Sequence, residues 1–189
     1  MPPRRAEPHI RPLRAADRAA LVDLLASSDP WLRLGYTAAD WRRLLGSPLD
    51  GREVWVVEGG GRARGLAVVR KSVLAGDYLE LLAVAADARG RGLGALLLAH
   101  VERVVFARAR NLFVCVSDFN RAARRFYRRQ GYEVVGRLAA LLVADSAEIL
   151  LRKSVGPQRG DAQSRKTKSA AVSPAPTVKS PIGPRTKKG

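Results

Sequence analysis

Cysteine occurs once in these 189 residues, at Cys115, and histidine only twice, at His9 and His100. One thiol cannot form an intrachain disulfide framework and leaves too few thiolates for a structural zinc site. Neither histidine has a neighbour at metal-ligand or triad spacing, so no metal is expected and both read as packing or surface residues. Long apolar runs are also missing. The nearest approach, residues 93–109, is interrupted by His100, Glu102, Arg103 and Arg108, and the first residues carry Arg4, Arg5, Glu7, His9 and Arg11 with no apolar stretch. Neither a signal peptide nor a spanning helix is indicated, and a chain working in the reducing cytoplasm without membrane contact is expected.

Acidic residues are scarce: 17 against 34 Lys and Arg, for a net charge of +17. The excess divides at about residue 153. Residues 1–153 carry mostly Arg, whereas 154–189 carry mostly Lys among Pro, Ser, Thr and Gly, with few large apolar side chains. That tail cannot bury enough surface to offset its ordering entropy and is expected to be disordered. It reads either as a solvated extension or as an electrostatic arm for nucleic acid, a ribosome or another anionic surface. It has no aromatic residue, so base stacking is not indicated.

The 1–153 segment alternates strand and helix patterns. His9–Arg14 reads as a short strand, Ala15-Ala16-Asp17 opens a helix carrying Leu21, Leu24 and Leu25, and Thr37-Ala38-Ala39-Asp40 opens a second with Trp41, Leu44 and Leu45. Val54–Val57 and Ala63–Val73 flank Gly59-Gly60-Gly61 as a hairpin, and Tyr78–Val84 is a third strand. A helix from Leu93 places Leu93, Leu96, Leu97, Val101, Val104 and Val105 on one face; strand Leu112–Val116, helix Arg121–Gln130 and a closing strand pair, Tyr132–Leu138 with Glu148–Arg152, complete the order. The pattern predicts an α/β domain with a mixed sheet and one parallel crossover between the third hairpin-region strand and Leu112–Val116.

That crossover begins with the most informative stretch of the chain, Val84-Ala85-Ala86-Asp87-Ala88-Arg89-Gly90-Arg91-Gly92-Leu93-Gly94-Ala95. Glycines at 90, 92 and 94 let the main chain approach an anion closely, and the unpaired N–H groups of the following helix favour negative charge. A pyrophosphate fits such a loop. The Walker pattern is absent, as is a dinucleotide fingerprint early in a βαβ unit.

The run Arg89-Gly90-Arg91-Gly92-Leu93-Gly94 resembles the acetyl-CoA signature of the GNAT superfamily of N-acetyltransferases, Arg/Gln-x-x-Gly-x-Gly/Ala. A second block, Asn120 to Tyr132, is similar to that family's Asn-x-x-Ala-x-x-Phe-Tyr-x-x-x-Gly-Phe/Tyr, through Asn120, Ala123, Phe126, Tyr127, Gly131 and Tyr132. The resemblance covers residues 8–153. It implies a mixed, mostly antiparallel seven-stranded sheet flanked by about four helices and splayed between strands four and five. It also implies transfer of the acetyl group of acetyl-CoA to a primary amine by direct attack in a ternary complex.

By this resemblance, Leu82, Ala83 and Val84 meet the pantetheine arm, Arg89, Gly90, Arg91, Gly92, Leu93, Gly94 and Ala95 take the pyrophosphate, and Asn120 contacts the cofactor. Tyr127 is the expected acid for the departing thiolate: a phenol with an ordinary pKa near ~10 is protonated at neutral pH. Glu80, an acid in an apolar strand, is the candidate base, with bulk water as the other proton acceptor. Relatives that acetylate protein N-termini carry a glutamate where this chain has Cys115, which weakens that acceptor class; Cys115 itself sits in an apolar strand as a buried thiol. Arg121, Arg124, Arg125, Arg128 and Arg129 give the helix beside Tyr127 a basic face. The resemblance puts the acceptor cleft between Ser27–Tyr36 and Ala139–Ala147, where Trp31 and Tyr36 are candidate walls. Leu141, Leu142 and Val143 in that second segment suit a strand extension, a subunit contact or an acceptor wall. The acceptor, a small or protein amine, and the choice between monomer and homodimer stay open. A noncatalytic CoA-binding or nucleic-acid-associated module using the basic tail is the alternative.

Overall fold

A computed structural model describes residues 7–46, 49 and 51–157; the tail read as a basic arm lies outside the described residues from 158 onward. Among the described residues, β1 (His9–Pro12), β2 (Arg52–Gly59), β3 (Arg62–Val73), β4 (Gly76–Val84), β5 (Asn111–Ser117), β6 (Glu133–Ala139) and β7 (Ala147–Ser154) form one sheet in the order β1-β2-β3-β4-β5-β7-β6. Every neighbouring pair is antiparallel except β4 and β5. The helices are α1 (Arg18–Ala26), α2 (Ala38–Leu44), α3 (Leu93–Phe106) and α4 (Arg121–Arg129). This is the mixed seven-stranded, four-helix arrangement expected from the sequence.

Two apolar cores sit on opposite faces of the sheet. Leu21, Val22, Leu25, Trp41 and Leu45 of α1, α2 and its end pack on Val54, Val56, Leu66, Val68, Leu81 and Ala83. Leu93, Leu97, Leu98, Val101 and Val105 of α3 pack on the other face with Val57, Ala67, Leu79, Val114 and Val116, joined by Tyr127 and Tyr132. The α3 stripe differs from the sequence expectation at three positions: Leu96 and Val104 are not buried, and Leu98 is. Leu98 is buried and Leu96 is 42% exposed, because the i, i+4 row 93-97-101-105 faces the sheet and Leu98 flanks it on the covered side.

The ends of elements follow local chemistry. Thr37 caps α2: its Oγ1 accepts from Asp40 N–H while the Asp40 carboxylate accepts from Thr37 N–H, a reciprocal cap that satisfies two otherwise unpaired donors. The first helix begins later than expected. Ala15–Asp17 form a 3₁₀ turn, because the buried Asp17 carboxylate takes a fork of hydrogen bonds from Arg11 at 2.7 and 2.8 Å and another from Arg14 N–H. Arg11 also bonds Glu58, tying β1 to β2.

The feature that positions the site is the junction of β4 and β5. They pair only through Asp77–Leu112, Tyr78–Phe113 and Leu79–Val114. Beyond Leu79 and Val114 the two strands have no mutual pairing, although β4 runs to Val84 and β5 to Ser117. Residues 81–84 keep β3 on their other side, and 115–117 keep β7. The expected splay is therefore present, and it opens toward the glycine loop.

Candidate active site

The opening between β4 and β5 is continuous with a cavity of about 720 Å³. It is lined from both faces of the sheet, by the α1–α2 connection on one side and α4 on the other. Of the residues expected from sequence, Glu80, Leu82, Ala83, Val84, Arg89, Gly90, Gly94, Asn120 and Tyr127 are in its wall, whereas Arg91, Gly92, Leu93 and Ala95 are not. Leu93 turns its side chain into the core, so only its main chain is available to a ligand.

The glycine loop is shaped by its backbone. Gly90 and Gly92 adopt φ of +72° and +78°, the left-handed region, and Gly92 is the N-cap of α3. A side chain at either position would meet open space; the requirement is conformational, worth roughly 1–2 kcal/mol for a non-glycine residue. The first intrahelical bond runs from Leu96 N–H to Gly92 C=O, so the N–H groups of Leu93, Gly94 and Ala95 have no carbonyl within the helix. Arg89 donates from Nε to Val84 C=O at 3.1 Å, pinning the loop to the end of β4. The one nearby acid, Asp87, is held by Arg64 at 2.9 Å. The loop therefore offers oriented donors with positive neighbours, which suits a diphosphate.

On the α4 side, Asn120 is the N-cap, its Oδ1 accepting from Ala123 N–H at 3.1 Å, so its amide is oriented by the helix it starts. Tyr127 is buried between Phe126 and Tyr132, with edge-on ring contacts at 5.1 and 5.4 Å. Burial pushes its phenol pKa up, so the proton stays on the oxygen through the neutral range.

Three carboxylates reach the cavity wall, in different states. Asp29 is exposed. Glu80 is neutralised: Arg52 binds it at 2.7 and 3.2 Å, and Arg70 adds a third bond at 3.1 Å. These are charge-assisted bonds from two guanidinium groups, one on β2 and one on β3. Glu148, which the sequence reading did not single out, is 3% exposed and has no ion pair among the described residues. Its hydrogen bond is from Ser117 Oγ at 2.6 Å, and burial holds its carboxyl above the ordinary carboxylate range. The only sequence signal was an acid opening the apolar run Ile149-Leu150-Leu151. Its relevance depends on β7 lying beside β5 with Glu148 opposite Ser117.

The remaining wall is apolar. Trp31 and Tyr36 both brace on the buried Trp41, Trp31 edge-on at 5.6 Å and Tyr36 stacked at 4.9 Å. Leu141 and Leu142 line the mouth while about half exposed, so that segment is a wall of the cavity and not a strand. Cys115 lies beside Tyr78, and burial raises the pKa values of both. No group of three or more His, Cys, Asp and Glu residues is placed to hold a metal among the described residues, and none of their helices is long and apolar enough to cross a membrane.

A sheet opened between β4 and β5, the parallel pair among the described residues, beside a glycine loop at a helix N-terminus, is an arrangement suited to a ligand carrying a diphosphate. Residues 18–132 match the acetyltransferase (GNAT) family, and the chain belongs to it. This family uses acetyl-CoA. A 5-NmdU N-acetyltransferase of Pseudomonas phage PaMx11 is 37% identical over 84 residues, 44% of this chain and 59% of that relative, so the match spans less than two thirds of the relative's length. The peptidyl-lysine N-acetyltransferase YiaC of Escherichia coli K12 is 28% identical over 130 residues, 67% of this chain and 84% of that one. Among solved structures, an aminoglycoside 6'-N-acetyltransferase complexed with coenzyme A superposes with a TM-score of 0.64 at 19% identity, covering 81% of this chain and 99% of that one, a likeness of fold.

Proposed function

We propose that this protein transfers the acetyl group of acetyl-CoA to a primary amine by direct attack, with both substrates bound together in the β4–β5 opening. The observation that carries this reading is the loss of β4–β5 pairing beyond Leu79 and Val114, directly before the loop that starts α3. Bound acetyl-CoA supplies an activated thioester. The chain's own residues hold and orient it: main-chain groups of Leu82, Ala83 and Val84 face the opening, and the N–H groups from Gly90 to Ala95, with Arg89 and Arg91, receive the diphosphate. Asn120 offers its amide from the start of α4. Holding both reactants in one cavity replaces a bimolecular encounter by an oriented one, which is where much of the acceleration in such a site originates.

Tyr127 gives its proton to the departing sulfur. Its high pKa keeps it loaded, and the same apolar surroundings raise the basicity of the sulfur that receives the proton. Glu80, bound by Arg52 and Arg70, fits a structural role that fixes β4 against β2 and β3. The direct test is release of free thiol from acetyl-CoA in the presence of a panel of amines, alongside calorimetry of coenzyme A binding. Binding with amine-dependent thiol release supports transfer; binding without turnover on any amine, combined with salt-sensitive RNA binding, favours a noncatalytic module.

A further inference from the structure

The cavity has a second half that acetyl-CoA recognition does not use. Its floor is Glu148, hydrogen-bonded by Ser117 Oγ at 2.6 Å; its walls are Trp31, Leu34, Tyr36, Leu141 and Leu142. A carboxylate this buried normally carries an ion pair, because leaving it alone costs several kcal/mol of hydration. Elsewhere in the domain the buried acids do: Asp17 with Arg11, and Asp77 with Arg108. Glu148 has one hydroxyl donor and no cation, and it lies in the wall of an open cavity. Leu141 and Leu142 are 53% and 47% exposed at the mouth, apolar surface with no covering element among the described residues.

Resting on the acetyl-transfer reading above, we propose that Glu148 binds the ammonium of the acceptor and takes its proton, and that the acceptor is a primary amine on an apolar, ring-sized body. The groups facing Glu148 are consistent with this. Ser117 and Cys115 come from β5, Tyr78 from β4, Tyr36 from the α1–α2 connection, and Asp118 from the turn after β5; none is a cation. An arriving ammonium is thus the missing counter-charge. In the step itself an N–H bond of the ammonium breaks and its proton passes to a Glu148 carboxylate oxygen. The freed nitrogen lone pair forms the N–C bond to the acetyl carbon, the C–S bond breaks as Tyr127 protonates the sulfur, and the excess proton on the new amide nitrogen leaves to water. Proton exchange with water then restores Glu148 and Tyr127. Ser117 is a positioning residue that orients the carboxylate and supports its ionised form.

The walls set the rest of the acceptor. Trp31 and Tyr36, braced on Trp41, and the two leucines form apolar walls beside Glu148, a buried carboxylate without a cation among the described residues.

The test uses the full chain with acetyl-CoA and three acceptors, phenethylamine, spermidine and kanamycin, following thiol release, with calorimetry of acetyl-CoA binding on every variant. Wild type is expected to prefer phenethylamine over both polycations by about tenfold or more in kcat/KM. Glu148→Gln, nearly isosteric and still able to accept from Ser117, should bind acetyl-CoA as wild type does and lose about 10²–10⁴-fold in kcat/KM. Ser117→Ala should move the acidic limb of the kcat/KM profile to higher pH, since the ionised carboxylate loses its donor. Glu148→Gln activity within about threefold of wild type, or preference for a polycation, overturns the proposal. Acetyl-CoA binding with no turnover of phenethylamine overturns it while leaving the transfer reading intact; absence of acetyl-CoA binding takes down both.

Discussion

The two ends of the β4–β5 pair are built from the same strands by opposite rules. At the paired end Asp77, 4% exposed, accepts from Ser72 N–H at 3.0 Å and from Arg108 Nε at 2.9 Å, and Arg108 continues to Glu53 at 2.8 and 3.1 Å. Asn111 Nδ2 closes the corner onto Ala75 C=O at 2.7 Å. Each of these charges has its counterpart. At the open end Glu148 has no cation, the Tyr127 phenol sits in apolar surroundings, and the N–H groups at the start of α3 lack helical partners. Satisfied groups lock the strands together, and groups left wanting a partner are where a ligand gains most by supplying one.

The contrast can be broken most forcefully at its closed end. Asp77→Ala removes one member of a buried ion pair and should cost about 3–5 kcal/mol. At about 2–4 °C per kcal/mol for a chain of this size, thermal melting would show it as a large drop in Tm. The protein that stays folded at low temperature should retain its acetyl-CoA affinity. Loss of affinity without loss of stability would mean the two ends are not separable.

At the open end Tyr127→Phe keeps the ring contacts and deletes the hydroxyl. Turnover should fall by about 10²-fold, with Kd for acetyl-CoA nearly unchanged, as judged by steady-state kinetics and calorimetry; unchanged turnover removes Tyr127 from the proton transfer. A smaller effect is expected at Gly92→Ala. The left-handed backbone there is strained by a Cβ, costing about 1–2 kcal/mol, which should appear as weaker coenzyme A binding together with a lower Tm.

The mildest prediction concerns the sign of a stability change. Glu148 has a raised folded-state pKa, so the folded chain holds its proton to higher pH than the unfolded chain does. Below the unfolded carboxylate value, about 4.3, both states are protonated and there is no penalty. Stability is lost as pH rises from there through the raised folded value, and the penalty persists at pH 7. Glu148→Gln should therefore melt higher than wild type at pH 7, by about 0.5–2 kcal/mol, with the gain disappearing near pH 4. Asp17 runs the other way. Its folded pKa is lowered, first by its bonds from Arg11, so its contribution is present above the unfolded value and is lost as pH falls through the folded one.

Most of the fold was readable because local patterns and tertiary structure agree. The glycine loop announced the parallel crossover, the Thr37–Asp40 cap marked α2, and apolar runs marked β2 to β5. What stayed hidden depended on strand order and side-chain partners. Residues 132–138 and 148–152 were legible as a pair, but nothing local says that the later strand inserts beside β5, and that insertion is what puts Glu148 opposite Ser117. Glu80 was legible as an acid among apolar sequence neighbours, but its ion-pair partners were not. Its partners, Arg52 and Arg70, come from two other strands. The 3₁₀ turn at 15–17 was hidden for the same reason, since Arg11 reaches Asp17 across a bend of the chain.

Amide hydrogen exchange with and without saturating coenzyme A tests the central claim most directly, that the unpaired half of β4 and the loop after it grip this ligand. Slower exchange is predicted within residues 80–84 and 90–95, with residues 77–79 and 112–114 unchanged because their strands are already paired. Unaltered exchange across the open half under saturating ligand, or protection confined to another surface, would contradict it.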